Sequence, residues 1–246
     1  MAWETTATLC PAWHNDMAAQ FGYTLVMIIT VDGPAGSGKS TVARELAKAL
    51  SIAYLDSGAT YRAVTYHAIS QGIDLQDEAA LAALAKRIDL ELIPQTDGVG
   101  VLVSGRDVSR QIRAPEITSQ TRYAASSPQV RAVLVKLQRK IGNRMGSFVS
   151  EGRDQGSVVF PDADVKFYLD ASPQVRARRR SDELRAAGRL TDRRQILQAI
   201  MDRDSRDRSR EVGPLVKPDG AVMIDTSEMT VAQVTEAMIQ IIQERT

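Results

Sequence analysis

The chain has 246 residues, a quarter of them charged, and a formal net charge of +1. That length can bury one sizeable core with insertions or two small domains, and the balanced charge argues against a dedicated nucleic-acid binder, which would be basic overall. Cys10 is the single cysteine, and His14 and His67 lie far apart; a disulfide framework or cysteine-built zinc site is excluded, and a reducing compartment, the cytoplasm, is expected.

No run approaches the roughly 18 apolar residues of a membrane span. The opening segment lacks the basic region and apolar stretch of a signal peptide. Residues 1–25, with Trp3, Pro11 and Trp13 but no periodicity, read as a disordered preface to one domain over 26–246. Met27 stands just before the first strand and is a candidate translation start.

Leu25 to Val31 is short, apolar and β-branched, the pattern of a buried strand in a parallel sheet. A Gly-rich turn follows, then a helix from Ser40 to Leu50, a strand from Ile52 to Leu55, and a helix from Ala59 to Gln71 stopped by Gly72. Asp77 to Lys86 is an alanine-rich helix. The period then changes: Asp89 to Ile93 and Val99 to Val103, around Thr96-Asp97-Gly98, predict a hairpin, with a third short strand near Arg106 to Val108. This hairpin, within about 87–112, reads as a small antiparallel insert.

Pro115 to Met145 predicts two helices broken near Ser127-Pro128. Strands at Ser147 to Ser150 and Val165 to Leu169, helices at Pro173 to Ala187 and Asp192 to Arg210, a strand at Ala221 to Ile224 and a closing helix at Thr230 to Gln243 complete the chain. The alternation predicts an α/β fold, a parallel sheet covered by helices on both faces.

Gly33-Pro34-Ala35-Gly36-Ser37-Gly38-Lys39-Ser40 fits G-x-x-x-x-G-K-[ST], after a strand and opening a helix, with Thr41 next. Curled backbone N–H groups and the helix N-terminus suit phosphate oxygens. Lys39 supplies a full charge for the β- and γ-phosphates, and the Ser40 hydroxyl suits Mg²⁺. This predicts nucleoside-triphosphate binding. It leaves hydrolysis, transfer to a small molecule such as thymidylate or shikimate, and sensing without turnover all open.

Arg176 to Arg210 holds twelve arginines against six acids. A solvated helix face is one reading; an electropositive wall for a polyanion is the other. Arg203, Asp207 and Arg210 stand at i, i+4 and i+7, which on a helix share a face.

Four segments in order carry a resemblance: the phosphate loop, Leu55-Asp-Ser-Gly-Ala-Thr-Tyr-Arg62, Glu151-Gly-Arg-Asp154 with Val158-Val-Phe-Pro-Asp-Ala163, and Arg203-Asp-Ser-Arg-Asp-Arg-Ser-Arg210. Together they resemble the bacterial cytidylate kinases, from about Ile28 to the C-terminus. The resemblance implies a phosphate-loop kinase fold whose antiparallel insert is the enlarged monophosphate-binding region, and transfer from ATP, with Mg²⁺, to CMP or dCMP. It implies Ser57 and Arg62 at the acceptor phosphate, with Arg153 nearby. Arg131 and Asp154 would read cytosine, with Arg210 completing that pocket, and Arg203 and Asp207 would hold the ribose.

Where the family commonly has a base-binding serine, this chain has Arg122, with Thr121 beside it. A carboxylate such as Asp154 accepts from a 4-amino group and repels the carbonyl of uracil. Arg179 and Arg180, with Arg176, are candidate lid arginines over about 177–192, expected to be open without nucleotide. No coiled-coil seam is present, so a monomer is expected, without nucleic-acid or membrane partners.

Overall fold

The computed structural model describes residues 26–95 and 98–245; the predicted preface and the turn residues 96 and 97 lie outside them. Strands β1 (Ile28–Asp32), β2 (Ala53–Asp56), β6 (Phe148–Glu151), β7 (Val165–Asp170) and β8 (Val222–Asp225) form one sheet of order β2-β6-β1-β7-β8. Every pairing in it is parallel. Strands β3 (Leu90–Gln95), β4 (Gly98–Val103) and β5 (Arg106–Asp107) form a separate antiparallel sheet. The predicted α/β class, parallel sheet and small antiparallel sheet are all present.

The apolar runs become strands because both faces of the sheet are covered. Ile29, Val31, Val149, Phe167 and Leu169 are buried at 0–1% exposure. Helix α1 (Lys39–Ala49) lays Val42 and Leu46 against them, and α8 (Val231–Arg245) adds Val234, Met238 and Ile242. Each such side chain contributes about 1.5–3 kcal/mol by leaving water. Leu90, Val99, Val101 and Val103 of the insert join the same cluster. The insert therefore shares the main core instead of building its own.

Helix α2 (Ser57–Ser70) starts two residues before the predicted Ala59. Asp56 explains this: its side chain accepts from Ala59 N–H at 3.0 Å, a cap worth about 1 kcal/mol. Ser57 and Gly58 are thereby drawn into the first turn. Helix α3 (Glu78–Arg87) follows, and after a 3₁₀ turn at Gln111–Arg113 come α4 (Pro115–Ser126) and α5 (Pro128–Met145). The predicted break at Ser127-Pro128 is present, with Ser127 capping α5.

A one-turn π-helix, Gln155–Val159, was not foreseen; no apolar period marks it. Helices α6 (Pro173–Ala186) and α7 (Arg193–Arg208) pack as a hairpin over the C-terminal edge of the sheet. Helix α7 ends at Arg208, so Arg210 lies just beyond it, not on it as predicted.

Gly142 in α5 is a close-contact position. A Cβ there would meet the Phe148 ring at 2.8 Å and the Phe160 ring at 3.1 Å, and those rings brace each other edge to face at 5.0 Å. Alanine gains about 1 kcal/mol in helix propensity, while overpacking costs about 1–3 kcal/mol. Gly142→Ala is expected to lower stability on balance, by up to about 2 kcal/mol, read from urea unfolding at unchanged m-value.

Candidate active site

The phosphate loop runs from the end of β1 into α1. Gly33 has φ +146° and approaches Leu169 so closely that a Cβ would lie 2.0 Å from its carbonyl oxygen; Gly38, at φ +89°, turns the chain into α1. Only glycine tolerates both demands. Lys39 is 4% exposed, and its Nζ donates to the Pro34 carbonyl at 2.7 Å. Burial, with Arg153 pushing the same way, brings the Lys39 ammonium down to about 7.

Ser40 Oγ donates to Glu151 Oε1 at 2.8 Å, and the Tyr54 hydroxyl reaches the same oxygen at 3.4 Å. Glu151 ends β6 directly beside β1. Glu151 stands in the Glu151-Gly-Arg-Asp154 motif, but nothing local marks it as a partner of Ser40; only the strand pairing brings the two together. A hydroxyl and a buried carboxylate are hard oxygen donors suited to Mg²⁺. Among the described residues no group of three histidines, cysteines or carboxylates could hold a metal. Magnesium in kinase sites needs no such cage, because one or two carboxylates and the phosphates supply its ligands.

One cavity of about 600 Å³ opens at this edge. It is lined by Ala35, Gly36, Gly38, Lys39, Ser40 and Thr41 from the phosphate-loop side, and by Ser57, Arg62, Arg131, Arg153, Asp154, Arg180, Arg203, Asp207 and Arg210. Lys39 and Arg62 thus face one space. Gly33, Pro34, Ser37 and Arg179 are absent from its wall. Ser37 is fully buried, its carbonyl accepting from Thr226 Oγ1 at 3.1 Å. Arg179 passes near Gly38 but donates to the Thr226 hydroxyl at 3.0 Å and to the Thr226 carbonyl. Arg180 pairs with Glu183 at 2.9 Å on the half-exposed rim. A larger, more open hollow of about 850 Å³ includes Asp170, Met201 and Met223 and, of the candidate residues, only the lid arginine Arg176.

Carboxylates hold the cations in place. Asp56 pairs with Arg62 at 2.7 Å and with Arg113 at 3.5 Å. Asp207 receives Arg153 at 3.0 Å, Arg203 at 3.9 Å and the Arg210 guanidinium. Burial opposes ionisation of Asp207, but Arg153, Arg210 and Arg203 together hold its carboxyl below the usual range. Asp154 pairs with Arg131, which also donates to the Ala125 carbonyl at 3.2 Å and lies 5.5 Å over the Tyr61 ring. Burial pushes the Asp154 carboxyl up against the pull of Arg131 and Arg210.

Asp32 is completely buried, and its two oxygens accept from Gln155 N–H at 2.8 Å and Gly156 N–H at 2.7 Å. It therefore ties the start of the phosphate loop to the turn carrying Arg153 and Asp154. Thr118, Thr121 and Ala125 line the cavity beside Arg131, while Arg122 points away, 4.8 Å over the Tyr123 ring. Of the two residues at the family departure, Thr121 is the one in the cavity wall. Among the described residues, the buried Arg62 Nε, Arg131 Nε and Arg210 Nε of this lining have no hydrogen-bond partner. Unsatisfied buried groups are costly and mark a place for a ligand.

A phosphate loop facing an arginine-walled second site across a single cavity defines a phosphate-loop kinase. The cytidylate kinase family model matches residues 29–244. A cytidylate kinase of Caldanaerobacter subterraneus is 43% identical over 90% of this chain and 97% of its own length. One of Corynebacterium efficiens is 45% identical over 87% and 94%. A bifunctional pantoate ligase/cytidylate kinase of a Synechococcus strain is 46% identical over 86% of this chain, which spans 43% of that relative. An uncharacterized protein of Eubacterium ventriosum shares the fold, with TM-score 0.50 and 14% identity over 89% of this chain and 99% of its own. The chain belongs to the cytidylate kinase family.

The lowered Lys39 value has a measurable consequence. Bound phosphates favour its ammonium form and raise its pKa again. Above the free-state value, nucleotide binding then takes up protons at Lys39, so affinity falls as pH rises above about 7. Calorimetry of ADP binding in two buffers of different ionisation heat should show this uptake, and Lys39→Met should abolish it.

Proposed function

We propose that this chain transfers the γ-phosphoryl group of ATP to CMP or dCMP, giving ADP and CDP or dCDP. The observation that carries this reading is the shared cavity, with Lys39 and the loop glycines on one side and Arg62, Arg131, Asp154 and Asp207 on the other. The donor triphosphate lies along the phosphate loop over Lys39. Ser40 and Glu151 would hold Mg²⁺, which would supply positive charge to offset that of the triphosphate.

Arg62 and Ser57 receive the acceptor phosphate. The acceptor oxygen is already anionic, so no general base is required. Arg153, which pairs with Asp207 and lines the same cavity as Lys39, faces the space where charge spreads on the transferred group. Asp207 and Arg203 hold the ribose hydroxyls. Arg131 holds Asp154 at the cytosine edge, where the carboxylate accepts from the 4-amino group; Thr121 takes the place of the missing serine.

Helices α6 and α7 act as the lid. Arg180 on the cavity rim turns inward over the phosphates, which excludes water and prevents ATP hydrolysis. Arg179 must first leave Thr226 to do the same. No helix among the described residues is long and apolar enough to cross a membrane, and a cytoplasmic location agrees with the single cysteine.

A coupled assay of ADP release with CMP, dCMP, UMP and AMP tests this. CMP and dCMP should lead, and use of AMP without CMP would contradict the reading. Lys39→Ala should lower turnover by about 10²-fold or more with the fold intact. Asp154→Asn can turn its amide either to accept from a 4-amino group or to donate to a 4-carbonyl, and should cut the preference for CMP over UMP by about tenfold or more, with ATP KM changing far less.

A further inference from the structure

Arg176, a candidate lid arginine from the sequence, and Asp204 are each only 3% exposed in their side chains. Arg176 sits in the first turn of α6 and Asp204 in the last turns of α7, at the base of the hairpin. Arg176 Nη1 donates to Asp204 Oδ2 at 2.6 Å and to the Ala35 carbonyl at 3.0 Å, and its Nε donates to the Ala171 carbonyl at 2.9 Å. Asp204 Oδ1 accepts from Ala35 N–H at 3.4 Å. Both backbone polar groups of the third residue in the phosphate loop therefore end on one buried ion pair. The next residue, Gly36, packs on Arg176 so closely that a Cβ would stand 3.2 Å from the Arg176 Cβ.

A buried ion pair is a poor way to join two helices. Well-packed apolar side chains usually do so equally well or better, because two desolvated charges seldom recover their cost. An apolar pair could not, however, satisfy the N–H and C=O of Ala35. Phosphate loops bind through the direction of their backbone N–H groups, and that direction depends on the curl of the loop. Arg176 is also not available to reach phosphates, since its guanidinium is committed to Asp204 and two carbonyls.

We propose that Arg176 and Asp204 are positioning residues for the donor nucleotide: the pair sets the curl of the phosphate loop and joins it to the base of the α6–α7 hairpin. The inference rests on reading the loop as the donor site. Because the same pair touches loop and hairpin, donor binding and lid movement share one joint. Of the acceptor residues, Arg62, Arg131 and Asp154 hang from other elements, while Arg203 and Asp207 stand beside Asp204 on α7 but do not bond the pair.

The test is the double variant Arg176→Met/Asp204→Leu, which removes both charges together and so leaves neither buried alone. Arg176→Lys, which keeps the charge and loses the planar fork, serves if the double variant does not fold. ADP affinity by calorimetry, without acceptor, should fall about tenfold or more in the double variant and about threefold or more in Arg176→Lys. ATP KM should rise in parallel, with CMP KM at saturating ATP rising severalfold less and the melting temperature little changed. A folded variant with ADP affinity within about twofold of the unmutated protein would overturn the proposal, as would an equal loss for ATP and CMP. Failure of the kinase reading itself would appear separately, as no CMP-dependent ADP release by the unmutated protein.

Discussion

Each of the five parallel strands ends on a carboxylate: Asp56, Glu151, Asp32, Asp170 and Asp225, in β2, β6, β1, β7 and β8. A row of negative charge along the edge where a polyphosphate must lie would repel it. The fold commits each acid to a local task. Asp32 takes two backbone N–H groups, Asp56 caps α2 and holds Arg62, and Glu151 takes the Ser40 hydroxyl. Asp170 takes Ala171 N–H, and Asp225 takes Ser227 N–H. The acids thereby become fixtures for the loops and cations that make the site.

A second layer faces the opposite difficulty. Lys39, Arg62, Arg131, Arg153, Arg203 and Arg210 crowd one cavity, and without an anion they repel one another. Asp56, Asp154 and Asp207 keep them assembled by ion pairs that are mostly buried. Such pairs are weak net contributors to stability but costly to break on one side only. Arriving phosphates supply charge to a wall already in position, so little reorganisation accompanies the reaction. Burial first, and the neighbouring Arg153 second, hold the Lys39 ammonium below its usual range before a ligand arrives.

The chemistry carried by contiguous residues was legible in the sequence. The phosphate loop, the break at Ser127-Pro128 and the antiparallel insert all rest on local spacing, glycine and proline. What escaped reading depends on contacts between distant residues. Glu151 meets Ser40 only because β6 pairs with β1. Asp32 meets Gly156 across 124 residues, and Arg176 meets Ala35 across 141. The sequence offers Arg176, Arg179 and Arg180 alike as lid arginines, but Arg176 turns to Asp204 and two carbonyls, Arg179 turns to Thr226, and of the three only Arg180 lines the cavity. Arg210 joined the right group for a partly mistaken reason: it reaches Asp207 from beyond the end of α7.

The central claim is that donor and acceptor phosphates share one continuous cationic cavity. It is met most directly by measuring the affinity of a bisubstrate compound, adenosine and cytidine joined through five phosphates. If the two half-sites face one another as described, linking the halves makes the second contact intramolecular. The compound should then bind one to one, at least about 10²-fold tighter than ATP or CMP alone, and be displaced by either. Affinity no better than that of ATP, or CMP binding undisturbed beside the bound compound, would contradict the account.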